Sequence, residues 1–403
     1  MKGRIFIAVI LIFLTSCEKG ETDDTILKFF SKAFKDSGNS IAIGENGYYI
    51  CGQMTDKLST DATKKAGIIK TGLDGNLMGK VKTLGGSEGS ASKVIVVGNS
   101  VVCTGYVLDN AAQKDVMVFI LNSDLTSVID SMIYQSPGNQ YGVDIIKTQE
   151  GFLILGTTDV AKEPFGEETG NAAGKKDILL MRIRDDLEPL APIPAIGYIG
   201  NDEGAAIKAD VNGGYMVVGT TDRSDRPSGE QSGNNIFLFR VNSDGSTTQP
   251  RIVGGTSNEY ASDFEVVSDG YLIAGTIGNA GTTQQGYIWK MPLDIYDEPE
   301  NEHIIDIDPS ITPRPVYSIK AMCRYKTSTF LLAGQHGTGL SARMLVFSVD
   351  AYGSPVEGYK KTTGGTGTQI SNDVVSDESD NIITVGSNSY ENNSMICFLK
   401  FRF

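Results

Sequence analysis

Glu259-Tyr260-Ala261-Ser262-Asp263-Phe264-Glu265-Val266-Val267-Ser268-Asp269-Gly270-Tyr271-Leu272-Ile273-Ala274-Gly275 reads as two β-strands joined by a tight Asp269-Gly270 turn. Asp-Gly tolerates the positive φ that a two-residue hairpin needs. The second strand is apolar throughout and closes on glycine. That ending recurs seven times, at Gly52, Gly105, Gly156, Gly219, Gly275, Gly334 and Gly386. The intervals are 53, 51, 63, 56, 59 and 52 residues. A period near 50 to 60 is too long for leucine-rich or ankyrin units and suits a four-stranded sheet repeated around an axis.

Each unit keeps one internal order. A polar or Gly-rich link, such as Gly85-Gly86-Ser87-Glu88 or Gly254-Gly255, leads into a short strand a. A turn comes next: Asn46-Gly47, Glu150-Gly151, Asn212-Gly213-Gly214 or Asp269-Gly270. Then come the Gly-ending strand b, a variable loop, and strand c, as in Asp177 to Arg182 and Ile236 to Arg240. A turn such as Asp74-Gly75 or Asp244-Gly245 leads to a less regular strand d. Strand b is apolar on both faces, so neighbours must cover both of its sides. A lone unit cannot bury itself, and a closed ring leaves no exposed end. The expected fold is therefore all-β, a seven-bladed β-propeller of four-stranded antiparallel blades.

Closure makes a specific demand. The last unit supplies strand a (Asn372 to Ser376), b (Ile382 to Gly386) and c (Ser394 to Phe401), and lacks a d strand. Residues 26–35 precede the first unit and run into Asp36-Ser37-Gly38-Asn39, a link of the d-to-a kind. Strand counting assigns Leu27 to Phe34 as the missing strand. Ile26, Phe29, Phe30, Ala33 and Phe34 also share one helical face, which is the competing local reading.

The first residues carry an address. Lys2 and Arg4 precede an apolar run from Ile5 to Leu14, too short to span a bilayer. Leu14-Thr15-Ser16-Cys17 resembles the lipobox of bacterial lipoproteins, in which the cysteine receives diacylglycerol. The resemblance implies a signal peptide over residues 1–16 and acyl chains such as palmitate on Cys17, with residues 17–25 as an acidic tether. Glu18 to Asp24 after that cysteine is similar to the surface-export signal of Bacteroidota lipoproteins, and it would serve equally as a solvated tether. The expected location is the outer membrane, facing outward. The repeats themselves resemble the Gly-Gly and Asp-Gly-rich propeller repeats of secreted bacterial proteins, Bacteroidota lipoproteins included, over residues 26–403.

Net charge is −14, and −16 once Lys2 and Arg4 leave with the leader. Such a surface repels phosphate backbones and argues against nucleic-acid binding. Cys51, Cys103, Cys323 and Cys397 sit singly within apolar runs, which favours buried thiols over disulfides. His303 and His336 cannot build a His-rich metal site. Beyond the covalent lipid, no cofactor is expected.

In propellers the d-to-a links and b-to-c loops share one face. The links carry Glu88, Gln140, Glu203, Glu259 and Gln369, each 16 or 17 residues before its strand b glycine. Strand a adds Lys93, Asp144, Asp263 and Asp373, 12 or 13 residues before it. A ring of such groups could bind a cation or a polyhydroxyl ligand. Repeated residues at repeated positions also brace a repeat by accepting backbone N–H bonds. Two long b-to-c loops, Thr157 to Lys176 and Thr220 to Asn235, would rise side by side on that face. The acidic, Pro-rich stretch Pro292 to Pro315 falls in the c-to-d region of blade 5, on the rim or opposite face.

Enzyme signatures are missing: there is no sialidase Ser-x-Asp-x-Gly-x-Thr-Trp box, GxSxG elbow or HExxH motif, and a single Trp289. The expected function is a non-catalytic, monomeric, lipid-anchored binding or scaffold protein presenting a propeller face to a protein or glycan. The alternative is a glycan hydrolase or lyase using funnel carboxylates.

Overall fold

In the computed structural model the described residues are 25–403, except 56, 58–62, 161–175, 191–194, 199, 223–232, 256, 279–283 and 306–315. The leader, Cys17 and the tether to residue 24 lie outside them. The strands form seven antiparallel sheets, each running a-b-c-d from the axis outward. Six contain four strands. In blade 3 the named strands are Gln140–Lys147, Gly151–Thr158 and Asp177–Arg184, and its outer edge is marked by bridges from Pro189 and Ile196 to the third strand.

The inner strands are Ser37–Gly44, Gly89–Val97, Gln140–Lys147, Asp202–Ala209, Glu259–Val267, Tyr317–Lys326 and Thr368–Ser376. Every one carries a bulge at the same place, so Asn39, Ser92, Val143, Ala205, Ser262, Lys320 and Asn372 are inserted residues. Just before each bulge, strand a pairs with the recurring glycine of strand b. The sequence pattern places that glycine at the strand's end; the structure places it inside, with strand b running on by two to four residues. Its function is close approach. A Cβ built on any of the seven would collide with a strand a carbonyl, and even the loosest, Gly156, would bring it to 2.6 Å from the Tyr141 oxygen.

Buried apolar side chains of the described residues gather in seven clusters, one between each pair of neighbouring blades. The cluster of Ile41, Tyr48, Ile50 and Ile69 with Ile383, Val385, Ile396 and Phe398 joins blade 1 to blade 7, so the ring is closed.

Closure uses the N-terminal segment. Ile26–Phe30 pairs antiparallel with Asn393–Phe401, from Ile26 opposite Lys400 to Phe30 opposite Ile396. The strand is shorter than the expected Leu27 to Phe34. The Asp36 carboxylate accepts bonds from the Ser31 hydroxyl (2.6 Å) and the Lys32 amide (3.0 Å), which turns the chain toward strand a. Phe34 adopts a left-handed φ of 54° within that turn. In blade 5 the stretch Pro292 to Pro315 contains the outer strand itself, Asn301–Ile304.

The c-to-d turns share an unexpected device. Asp74, Asp124, Asp186, Asp244, Asp294 and Asp350 each accept a bond from the amide two residues on. Only two of these are followed by glycine. Leu125 and Leu187 adopt left-handed φ values of 59° and 62° instead, and both are buried. Their burial offsets a backbone cost that glycine avoids.

Two outcomes test this frame. Gly386→Ala should destabilise the fold by about 3 kcal/mol, whereas Gly86→Ala, where a Cβ meets open space, should stay within about 0.5 kcal/mol of the parent. Urea unfolding measures both, and equal effects would refute the close-approach argument. Deleting residues 26–30 should speed amide exchange across Asn393–Phe401 more than across Tyr215–Thr221 of blade 4; uniform exchange would contradict closure by the N-terminal strand.

Candidate functional site

In blades 3, 5 and 7 the residue after the bulge is an Asp that faces the next blade. Asp373 of blade 7 accepts bonds from the Ile41 amide (3.1 Å) and the Ser40 hydroxyl (2.7 Å) of blade 1. Asp144 of blade 3 accepts from Ile207 N of blade 4 at 3.0 Å. Asp263 of blade 5 accepts from Met322 N of blade 6 at 2.9 Å. Each of the three also accepts the amide of the residue after it, at 2.8 to 2.9 Å. Each carboxylate thus receives amides from two blades. Bulged residues make a second set of hooks: Asn39, Ser262 and Asn372 donate to Ala91 O, Ile319 O and Gly38 O of the following blade at 2.7 to 2.8 Å.

Two lysines balance these acids in the channel. Lys93 Nζ lies 3.6 Å from Asp373, and Lys208 Nζ lies 3.2 Å from Asp263 and 2.6 Å from Glu265. Asp373, aided by Asp144 and Asp263, holds the Lys93 ammonium above its usual range. Burial opposes charge at Lys208, but Asp263 and Glu265 override it and raise that group too. Burial raises Asp144, against the pull of Lys93 and the Ile207 amide.

The link residues do not meet at the axis. Gln140, Glu259 and Gln369 fold back on their own d-to-a links. Gln369 accepts the Gly365 amide at 3.2 Å, Gln140 donates to Pro137 O at 2.7 Å, and buried Glu259 faces Gly255. Glu88 is exposed just ahead of its strand. Fixed spacing to the glycine misplaces two members: Glu88, since Gly89 holds the matching place in blade 2, and Glu203. Glycine and its strand a partner are 14 residues apart in blades 3 and 5, and 15 in blade 4. The equivalent of Gln140 and Glu259 is therefore Asp202, which accepts the Tyr198 amide at 2.7 Å, while Glu203 turns outward.

Glu203 instead lines a polar cleft of about 710 Å³ across blades 4 to 6, on the face of the d-to-a links. Its Oε1 lies 2.5 Å from Lys176 Nζ. Asp222, also on the wall, accepts two bonds from Asn201. Thr220, Tyr260, Ser262, Thr276, Gln284, Ser318 and Lys320 complete the polar lining, with Gly204, Ala205 and Ala261 the small apolar members. The long loops' 161–175 and 223–232 lie outside the described residues; their stems at Lys176, Thr220, Asp222 and Asn234 form the wall. Among the described residues no group of three His, Cys, Asp or Glu side chains is arranged to hold a metal ion. Cys51, Cys103 and Cys397 are buried thiols and Cys323 is half-buried; burial pushes the Cys397 thiol up to about 12.

The chain is thus a seven-bladed β-propeller with a polar cleft at one mouth. No protein-family profile and no curated protein sequence matches it. Solved structures share the fold. The WD40 β-propeller domain of Doa1 is 10% identical with a TM-score of 0.52, over 93% of this chain and 97% of that one. A polysaccharide lyase of family PL25, an ulvan lyase bound to a glucuronate–sulfated rhamnose unit, is 8% identical with a TM-score of 0.53, over 91% and 95%. An acylaminoacyl peptidase is 12% identical with a TM-score of 0.51, over 92% of this chain and 52% of its own.

Spacing missed Asp202, Lys208, Glu265 and Lys320. The signal available for Lys320 was a charged residue at the inserted position of strand a, where the other blades carry Asn, Ser, Val or Ala. Asp202 is the group with a pH consequence. Burial pushes its carboxyl up to about 7, with Thr221 and the Tyr198 amide opposing and Asp177 and Asp222 adding to the rise. The folded state then keeps a proton that the unfolded chain releases near 3.9, so this contribution to stability is full below about pH 4 and is lost as pH rises through about 7. Wild type should lose about 1 kcal/mol or more relative to Asp202→Asn between pH 5 and pH 8 in urea melts. Parallel curves would refute the assignment.

Proposed function

We propose that the protein is a lipid-anchored envelope binding protein, tethered through Cys17, that presents the cleft of blades 4 to 6 to a glycan. The cleft carries the reading. Its wall is a dense array of hydroxyl, amide and carboxylate groups with glycine and alanine between them. Polyhydroxyl chains suit such a surface, and Tyr260, 37% exposed at the cleft, offers a ring for a sugar face. The inner-strand carboxylates Asp144, Asp263 and Asp373 are occupied in holding blades together, which favours binding over carboxylate catalysis. Glu203 and Asp222 are the acids a glycan-cleaving alternative would use.

Expressed in a Gram-negative host, the full chain should incorporate a palmitate analogue and fractionate with the outer membrane, and Cys17→Ala should abolish both. On a glycan array, Ala205→Trp, which fills the cleft without removing a polar group, should weaken binding at least tenfold. Unchanged binding would move the site elsewhere, and fragmentation of the glycan lost in Glu203→Gln would convert the reading to an enzyme.

A further inference from the structure

Lys320 is the inserted residue at the bulge of blade 6, and it lines the cleft. Its backbone is firmly placed. Ser262 of blade 5 donates to Ile319 O at 2.7 Å, and Thr276 accepts from Ile319 N at 3.0 Å. The same inserted position in blades 1, 5 and 7 carries Asn or Ser hooked onto the next blade. Lys320 makes no such bond among the described residues.

It also differs from the other inner-strand lysines. Lys93 and Lys208 are paired with carboxylates. No carboxylate of the described residues comes within ion-pairing distance of Lys320. Its side chain is exposed to water in a concave mouth, where the surrounding protein walls lower its ammonium from the usual lysine range by partial desolvation. An exposed ammonium with no protein counter-ion is free to make a charge-assisted hydrogen bond to an anionic group on a ligand. The nearby acids Glu203 and Asp222 are already taken by Lys176 and Asn201.

We propose that Lys320 is an anion subsite within the cleft, and that the ligand is an acidic oligosaccharide whose carboxylate or sulfate groups reach it. The inference rests on the glycan reading above and adds the charge of the ligand. Hydroxyl and amide groups of Thr220, Tyr260, Gln284 and Ser318 would meet the uncharged sugar positions.

Titration calorimetry of the full chain tests it with three hexasaccharide probes: a neutral galactan, an oligogalacturonate and a sulfated carrageenan fragment. One acidic probe should bind at least about tenfold more tightly than the neutral one, as a charge-assisted hydrogen bond allows. Lys320→Gln should erase that preference and Lys320→Arg should retain most of it. The bound probe should also protect Lys320 from reductive methylation, read by mass spectrometry. The carboxylated and sulfated arms identify the group. Equal binding of neutral and acidic probes, or acidic binding indifferent to Lys320→Gln, would overturn the subsite and leave a glycan cleft standing. Binding of none of the three would overturn both readings, and Lys320-dependent binding of hexaglutamate in their place would assign the site to an acidic protein.

Discussion

The close approach of one glycine to one carbonyl, made once per blade, is the constraint on which the ring depends. Each strand b glycine lets strand a come near enough to carry a bulge in a fixed place. A bulge shifts the side-chain alternation of the residues after it. Past it, the inner strand aims one residue at the neighbouring blade, and Asp144, Asp263 and Asp373 use that direction to take amides from the next sheet. Apolar clusters between blades supply most of the stabilisation. The hooks decide which blade lies against which and at what height.

The same geometry explains why the channel is charged without being a ligand ring. A carboxylate that accepts amides from two blades must stay desolvated, and desolvation raises the cost of its charge. Lys93 and Lys208 offset that cost from other inner strands. These ions are one another's partners within the ring.

Much of the architecture was legible because a ring repeats its constraints. Seven glycines, the tight turns after strand a, and the missing last strand state the blade number and the closure in the chain itself. What escaped was what the repeat permits to vary. Hairpins of unequal length moved Asp202 into the place that spacing assigned to Glu203. Leu125 and Leu187 concealed two c-to-d turns, since buried leucine can hold a backbone angle usually left to glycine. Lys320 looked ordinary, because its meaning comes from partners it lacks, and those are set by packing between blades.

Strand direction in the closing sheet has one more consequence. Ile26 sits opposite Lys400, beside Gly75 in a c-to-d turn, and therefore at the mouth remote from Lys320 and Thr276. The described chain therefore begins on the underside of the ring, and the blade hairpins separate its first residue from the cleft by the full height of the inner strands.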